Sequence, residues 1–167
     1  MSNVKITQKS EISKLLGAKP VLPGENADEY AAGLAALIAE LDAKTVLQIY
    51  LAEKIYDCLW WIKRYEAQKR MVMIAVMTKI VQGHYPAKGT IDAVELREAL
   101  ISEAVTAEMG EALKGMGNTI EGLKQQAMTR KAREIRALDE QIALQAKILA
   151  GFQASYEVAA NRKLNIE

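Results

Sequence analysis

The chain has 167 residues and a formal net charge of +1, from 22 Lys and Arg against 21 Asp and Glu. Half of its residues are hydrophobic and 26% are charged, which excludes collagen-like, disulfide-scaffold and fully disordered proteins. A chain of this length fits a single domain, and it can bury about 70% of its unfolded surface. The near-neutral charge provides no overall attraction to nucleic acids or membranes, so only local patches could supply one.

The sequence carries no sign of secretion or of a membrane span. Cys58 is the single cysteine, so no intrachain disulfide can form. Residues 1–10 lack the apolar run of a secretory signal. The longest apolar runs, 71–77 and 34–39, are far shorter than the roughly 20 residues of a spanning helix. We therefore expect a cytoplasmic protein with no membrane partner.

Helix signals begin within an N-terminal arm, residues 1–24, where we predict a short helix over 10–16. Asn26 precedes Glu29 at the spacing of a capping box, which predicts a helix over 27–41. Thr45 and Gln48 have the same spacing, and they predict the start of a long helix over 46–82.

The second half of the chain begins with a predicted loop over 84–90, which is rich in Gly and Pro and contains the single histidine. Thr90 is placed to cap a helix over 91–113. A weaker break over 115–118, either a turn or a kink, precedes a second long helix over 119–161.

These elements predict an all-α fold, with the two long helices forming an antiparallel hairpin or bundle and about three shorter helices beside them. No alternating stretch indicates a strand. We expect one helical domain over residues 1–167, in which 25–83 and 91–167 each end in a long helix. Each long helix would extend about 55–65 Å at 1.5 Å per residue. A compact domain of this size has a radius of gyration of only about 15 Å.

An apolar seam with alternating spacings of four and three residues runs along both long helices. This spacing is typical of helices that pack against a helical partner. Lys69 and Gln145 interrupt it. Together with the length of the helices, the seam predicts a non-enzymatic interaction or scaffold protein that forms a homo-oligomer or binds a protein partner. The seam residues are Leu51, Ile55, Cys58, Ile62, Tyr65, Val72, Val76, Ile135, Leu138, Ile142, Leu149, Phe152 and Tyr156.

No catalytic or cofactor-binding pattern is complete in the sequence. One His and one Cys cannot form an ordinary zinc site. Gly110 and Gly115 have the outer spacing of a phosphate loop but lack the Lys and Ser or Thr that should follow. Glu53 and Asp57 share a helix face and could hold a cation, but the pattern favours a solvated face. We therefore predict no enzyme activity, cofactor or metal.

Clustered basic residues provide an alternative hypothesis, nucleic-acid binding. Segment 117–136 has five bases against two acids, whereas 91–116 has six acids against two bases. Arg130, Arg133 and Arg136 in segment 117–136 are spaced by three residues and share one face of a helix, so they could contact successive phosphates. A solvated face, or pairing with the acidic helix before it, is the other interpretation. The candidate residues are Lys63, Arg64, Lys69, Arg70, Lys124, Arg130, Lys131, Arg133 and Arg136.

The stretch from Val21 to Arg70 carries a longer pattern. Its residues are Leu22, Pro23, Gly24, Glu25, Tyr30, Trp60, Lys63 and Arg64. They resemble a family of uncharacterised bacterial helical proteins with an LPGE motif, an acidic-aromatic helix start, a Pro-containing turn and a helix bearing W-R-L-x-R. Ala43 stands where that family tends to have Pro, and the chain lacks the basic segment with which many relatives begin. The resemblance implies a bacterial source and motifs with a structural role, and no assigned activity.

Overall fold

A computed structural model describes residues 21–83 and 91–161 of the chain. Over these residues the structure is all-helical, with six helices and no strand, so the predicted fold class is confirmed there. The helices are α1 (Ala27–Glu40), α2 (Val46–Gln82), α3 (Ala93–Ser102), α4 (Ala107–Gly115), α5 (Ile120–Arg130) and α6 (Ala132–Asn161). The helix predicted over 10–16 and the loop predicted over 84–90 lie outside the described residues.

The described chain divides into two compact units. Unit 1 combines residues 21–64, which hold α1 and the first half of α2, with residues 142–161 of α6. Unit 2 consists of residues 65–83 and 91–141, which hold the rest of α2, all of α3, α4 and α5, and the start of α6. Each unit has an apolar core of its own.

The core of unit 1 joins three helices. Leu51 and Ile55 of α2 are buried beside Tyr156 of α6. The Tyr156 hydroxyl donates a hydrogen bond of 2.8 Å to the carbonyl oxygen of Leu41, directly after α1. A buried hydroxyl needs such a partner, so this bond also fixes the end of α1 against α6. Further side chains packed on this core are Leu37, Ile38, Ala43, Leu149, Phe152, Ala159 and Ala160.

The core of unit 2 explains why its short helices are stable. Leu96 of α3, Leu113 of α4 and Leu123 of α5 are fully buried, and all three belong to one apolar cluster with Met77 and Ile80 of α2. Helices of about ten residues are marginal in isolation, because few backbone hydrogen bonds offset the cost of nucleation. Tertiary packing on α2 therefore holds α3, α4 and α5 in place.

Local side chains begin α1 and α2 at the predicted positions. Asn26 Oδ1 accepts hydrogen bonds from the amides of residues 28 and 29, at 3.0 and 3.2 Å. Thr45 and Gln48 form a complete capping box, in which each side chain accepts from the amide of the other residue at 3.2 and 3.0 Å. The predicted capping box at Asn26 is only half formed, because the Glu29 carboxylate pairs with Lys63 instead of the Asn26 amide.

The helix predicted over 91–113 is two helices, which corrects the prediction. Glu103 ends α3 in the left-handed conformation (φ 60°), and Thr106 caps α4. No Gly or Pro marks this break, and a glutamate rarely adopts a left-handed conformation, so the pattern did not indicate it. The cap of α3 is Asp92 rather than Thr90, which lies outside the described residues.

The helix predicted over 119–161 is also divided. The break over 115–118 is a turn, because Gly117 is left-handed (φ 73°) and the Asn118 amide donates to the Leu113 carbonyl oxygen at 2.9 Å, as in a Schellman motif. A second break lies at Lys131, where one residue leaves the helical conformation (φ −116°, ψ 21°). The Thr129 hydroxyl donates to a carbonyl one turn earlier, a bond that bends helices. The second long helix therefore has 30 residues.

Candidate functional site

The seam residues that were predicted to mediate association lie inside the chain. Leu51, Ile55 and Tyr156 are in the core of unit 1, with Leu149 and Phe152 packed against them. The seam therefore contributes to the cores of this chain. The remaining seam residues, all buried or half-buried, are Cys58, Ile62, Tyr65, Val72, Val76, Ile135, Leu138 and Ile142.

A second apolar row runs along α6 within unit 1, and it faces solvent. Its members, called here the α6 row, are Leu144, Ile148, Gly151, Ser155 and Val158. Leu144 is 49% exposed, Ile148 39% and Val158 54%. The row lies one residue away from the seam, and one residue is about 100° of rotation around a helix. This part of α6 therefore has two apolar faces, of which unit 1 covers one.

An apolar groove lies at the C-terminal end of the α6 row, between α6 and the start of α2. It has a volume of about 260 Å³ and is lined by Leu47, Leu51, Ser155, Val158 and Ala159. The Ser155 hydroxyl donates to the Gly151 carbonyl oxygen at 2.9 Å, so it is already engaged with its own helix. An apolar cavity of about 150 Å³ is enough to hold benzene. The groove can therefore accept an aliphatic side chain.

The Leu-Pro-Gly-Glu segment forms a tight turn before α1. The Glu25 amide donates to the Leu22 carbonyl oxygen at 3.0 Å, and Gly24 between them has φ 91°. Pro followed by a left-handed Gly is the arrangement of a type II turn. The turn positions the Glu25 carboxylate, which also accepts from the Leu22 amide at 2.9 Å. Gly24 is required here because a side chain would strain the left-handed backbone.

Glu25 joins this turn to α2. Arg64 donates two hydrogen bonds of 2.6 Å to the Glu25 carboxylate, and Trp60 Nε1 donates a third at 3.1 Å. The Arg64 bonds contribute most to lowering the pKa of Glu25 to about 2. Arg64 also stacks on the Trp61 ring, 3.9 Å from its centroid. The two halves of the sequence pattern that resembles the bacterial family thus contact each other, which supports a structural role for both.

An aromatic cluster lies beside this ion pair. Tyr30 is fully buried, and its ring meets those of Tyr56 and Trp60 edge-on at centroid distances of 5.2 and 5.4 Å. Its hydroxyl donates to Asp57 Oδ1 at 2.5 Å. Burial, followed by this bond, raises the pKa of Tyr30. Gly33 of α1 leaves room for Tyr56, since a Cβ there would overlap the Tyr56 hydroxyl. The cluster therefore fastens α1 to α2.

The carboxylates predicted to lie on a solvated face do not lie there. Glu53 is 4% exposed, and Asp57 accepts from Lys54 Nζ at 2.9 Å as well as from Tyr30. Burial lowers the pKa of Lys54, but the hydrogen bond to Asp57 and the charges of Asp57 and Glu53 together outweigh burial, so the net shift is upward. Burial raises the pKa of the Cys58 thiol. Within the described residues, no three His, Cys, Asp or Glu side chains are grouped to hold a metal ion.

Most basic residues of the nucleic-acid hypothesis are paired within the chain. Within segment 117–136, Lys124 and Lys131 lie beside carboxylates three residues away, on Glu121 and Glu134. Arg70 instead caps α3, donating to the carbonyl oxygens of Leu100 and Ile101 at 2.8 and 2.9 Å. The six pairs are Lys63–Glu29, Arg64–Glu25, Lys69–Asp139, Arg70–Glu103, Lys124–Glu121 and Lys131–Glu134.

Three arginines differ from the other basic residues. Arg130, Arg133 and Arg136 are exposed, and they form no ion pair with any residue in the described ranges 21–83 and 91–161. The break at Lys131 separates Arg130 on α5 from the other two on α6, so the three do not share one continuous helix as predicted. All three belong to unit 2.

Sequence reasoning missed the α6 row and the Glu25–Arg64 pair. The row has the four-and-three spacing of the seam, but Gly151 and Ser155 weaken the apolar signal. The pair joins residues 39 positions apart, and no local pattern indicates such a contact.

The chain matches no family model, no curated protein and no solved structure. None of the helices in the described part combines the length and the apolar content needed to cross a bilayer. The exposed Lys147 directly precedes Ile148 of the α6 row.

Proposed function

We propose that this chain is a non-enzymatic helical interaction protein that self-associates, and that its two long helices run antiparallel. The antiparallel arrangement is supported by Leu51 packing with Tyr156 in unit 1, whereas Lys69 pairs with Asp139 in unit 2. As the residue number increases along α2, the residue number of its contact on α6 therefore decreases.

The exposure of the α6 row carries the proposal of self-association. Solvent-exposed apolar side chains occur singly on most proteins, but a contiguous patch marks an interaction surface. Leu144, Ile148 and Val158 are between 39% and 54% exposed and lie on one face of one helix. Burying apolar area contributes about 25 cal/mol per Å². A second helix with the same four-and-three spacing is the natural cover for such a row.

Sedimentation equilibrium over a range of about 1 to 100 µM tests the proposal, because an interface of this kind gives micromolar affinity. We expect a monomer–oligomer equilibrium for the wild type. Ile148→Glu should weaken it at least about tenfold, since a charge would be buried without a partner. Val94→Glu is the control, because Val94 is also an exposed aliphatic residue (57%) but lies on α3 of unit 2. Circular dichroism of each variant verifies that its helices are intact.

A wild-type chain that stays monomeric at about 100 µM would exclude self-association in the affinity range expected here. An Ile148→Glu variant that associates as well as Val94→Glu would remove the α6 row from the interface.

A second candidate function is nucleic-acid binding through Arg130, Arg133 and Arg136. The observation that favours it is that these three are the candidate basic residues without an ion pair inside the described chain. Exposed arginines keep their full charge for phosphates, whereas a paired one first has to leave its carboxylate.

Titration of a labelled duplex at several salt concentrations tests this second function. Three phosphate contacts predict that log K falls with log salt with a slope of about −2.7. Replacing all three arginines by Glu should abolish this dependence of log K on log salt. Lys63→Glu, at a basic residue paired within the chain, should leave it unchanged. Equal binding by the triple variant would show that these residues do not contact the duplex.

A further inference from the structure

We infer that helix α1 exchanges between two copies of this chain, so that α1 of each copy packs on α2 of the other. The exchange is driven by a short, strained hinge over residues 41–45, which joins α1 to α2 within unit 1. Short hinges under strain favour such exchange of an element between copies. The α6 row takes no part in it. The inference therefore goes beyond the proposed self-association, and each can fail without the other.

The hinge holds a left-handed residue that is not glycine. Asp42 has φ 49°, and it directly follows Leu41, the C-cap of α1. The amides of Asp42 and of the next residue donate to the carbonyl oxygens of Ala39 and Ile38, at 3.2 and 3.1 Å, which is the Schellman pattern. Glycine is usual at this position, because a side chain disfavours the left-handed conformation by about fivefold or more. The closed hairpin therefore keeps strain at Asp42 that a helical hinge would release.

No residue of the hinge prevents it from becoming helical. Residues 41–45 contain neither Gly nor Pro, and the nearest of these along the chain are Gly33 and Gly83. Gly and Pro are the residues that weaken a helix most. α1 and α2 can therefore merge into one helix, in which the amides of residues 42–45 donate to carbonyl oxygens four positions earlier. The hinge then opens without leaving its backbone amides unpaired.

The register of the contact between α1 and α2 places a two-fold axis at the hinge. Glu25 pairs with Arg64, and Gly33 lies against Tyr56. The midpoint of both pairs falls at residues 44–45. When two opened copies align antiparallel about that midpoint, Glu25 of each copy meets Arg64 of the other, and the contact at Gly33 forms in the same way. Each contact then forms twice between the copies, and the isologous pair closes as a dimer.

The exchanged contact buries little of α1. Of the described residues of α1, Tyr30 alone is buried. Leu37 and Ile38 are half-buried, and the remaining anchors are the carboxylates of Glu25 and of the exposed Glu29. Segments with few buried apolar contacts open at a low cost in free energy. α1 can therefore leave its own α2, and the second copy offers it the same partners.

Two local features oppose the opening and limit how much dimer forms. Thr45 and Gln48 cap the start of α2, and the Tyr156 hydroxyl binds the Leu41 carbonyl oxygen. A short linker holds α1 near its own α2 at a millimolar effective concentration. Release of strain at two hinges, about fivefold each, favours the dimer about 25-fold, which brings the dissociation constant towards about 0.1 mM.

Mixing two charge-reversed variants of the full chain tests the exchange. Glu25→Arg places like charges opposite Arg64 in the closed monomer, and Arg64→Glu does the same opposite Glu25. An exchanged heterodimer of these two variants pairs opposite charges at both sites, whereas the monomers and the exchanged homodimers do so at neither. At about 0.3 mM chain we expect at least about tenfold more dimer by size-exclusion chromatography in the mixture than in either variant alone.

Two controls accompany the mixture. The matched control carries Glu25→Arg and Arg64→Glu in one chain, which restores the pair within the monomer, so it should form no more dimer than the wild type. All of these chains also carry Ile148→Glu, so that association through the α6 row does not contribute.

Substitutions at Asp42 test the hinge without touching the contact between the helices. Asp42→Gly should lower the association constant of the exchanged dimer about 25-fold, because glycine accepts the left-handed conformation at both hinges. Asp42→Ala should raise it, because alanine disfavours that conformation and favours a continuous helix.

A hinge deletion covers the case that a charge-reversed variant does not fold. Deleting residues 42–45 leaves one linking residue, fewer than the two to five that join antiparallel helices. The exchange predicts a dimer that persists at about 5 µM with the helicity of α1 intact, because α1 can then reach only the second copy. Inserting Gly-Ser-Gly after Ala43 is the control and should give a monomer.

Three results would overturn the exchange. One is equal dimer in the mixture and in the separate charge-reversed variants, whatever Ile148→Glu does to the association of the wild type. Another is a deletion variant that is monomeric or has lost the helicity of α1. The third is an equal effect of Asp42→Gly and Asp42→Ala on the association constant, which would show that strain at Asp42 does not drive the opening.

Discussion

Glu25 and Arg64 lie 39 positions apart in the sequence, and two hydrogen bonds of 2.6 Å join the carboxylate of one to the guanidinium of the other. Their side chains are only 25% and 13% exposed. Trp60 donates to the same carboxylate. One glutamate thus attaches the turn before α1 to the first half of α2.

Glu25→Gln should destabilise the chain by about 1–3 kcal/mol, since the half-buried Arg64 would lose its charged partner. Glu29→Gln is the matched control, because Glu29 and Lys63 are both more than half exposed and such pairs contribute about 0–1 kcal/mol. Urea unfolding followed by circular dichroism measures both differences. Equal effects of the two substitutions would contradict the role assigned to Glu25.

Acid should remove the contribution of this ion pair. The pKa of Glu25 is lowered from its ordinary value of 4.5 to about 2, first because of the Arg64 hydrogen bonds. Because the pKa of Glu25 is lower in the folded chain than in the unfolded chain, ionised Glu25 stabilises the fold fully above pH 4.5. This stabilisation is lost as the pH falls towards 2. The difference in unfolding free energy between wild type and Glu25→Gln should therefore shrink over that interval. A difference that stays constant from pH 5 to pH 2 would show that the Glu25 pKa is not lowered.

Gly33→Ala should destabilise the chain although alanine favours helices. The new Cβ would overlap the Tyr56 hydroxyl and lie 2.6 Å from its ring carbon Cζ. We expect a cost of about 1–3 kcal/mol from overpacking, which exceeds the gain of about 1 kcal/mol in helix propensity. Thermal unfolding measures the change.

Gly110→Ala is the control for this substitution. Gly110 also lies in a helix, but a Cβ there meets nothing within 4 Å. That variant should gain up to about 1 kcal/mol of stability. Adding Tyr56→Phe to Gly33→Ala should recover part of the loss, and a double variant no more stable than Gly33→Ala would contradict the clash with the hydroxyl.

Arg70→Ala should weaken the end of α3 by about 1–2 kcal/mol, because the guanidinium donates to two terminal carbonyl oxygens and pairs with Glu103. Arg97→Ala is the control, since Arg97 is exposed on the same helix and has no ion pair within the described residues. Amide hydrogen exchange over α3 reports the effect locally. Unchanged exchange in Arg70→Ala would show that the cap contributes nothing.

Local chemistry explains which elements were predictable. The starts of α1 and α2 follow from Asn26 and from the Thr45–Gln48 box, whose bonds span three residues. The ends of α3 and α5 could not be predicted from such short-range bonds. Glu103 takes a left-handed conformation where Arg70, 33 positions away, binds its carboxylate, and the break at Lys131 has no Gly or Pro.

By itself the sequence determined that the described part of this chain is helical. It also gave the start of α2 and the apolar positions along α2 and α6. Periodicity reports the faces of a helix, because side-chain direction follows from 3.6 residues per turn. Only the tertiary structure decided which apolar face is covered and which arginine is paired. Tyr156 and Val158 are two residues apart, yet one is buried and the other is 54% exposed. Arg64 and Arg130 both lie in basic clusters of the sequence, but of these two only Arg64 pairs with a carboxylate. Its pairing depends on a contact with Glu25, a residue distant along the chain.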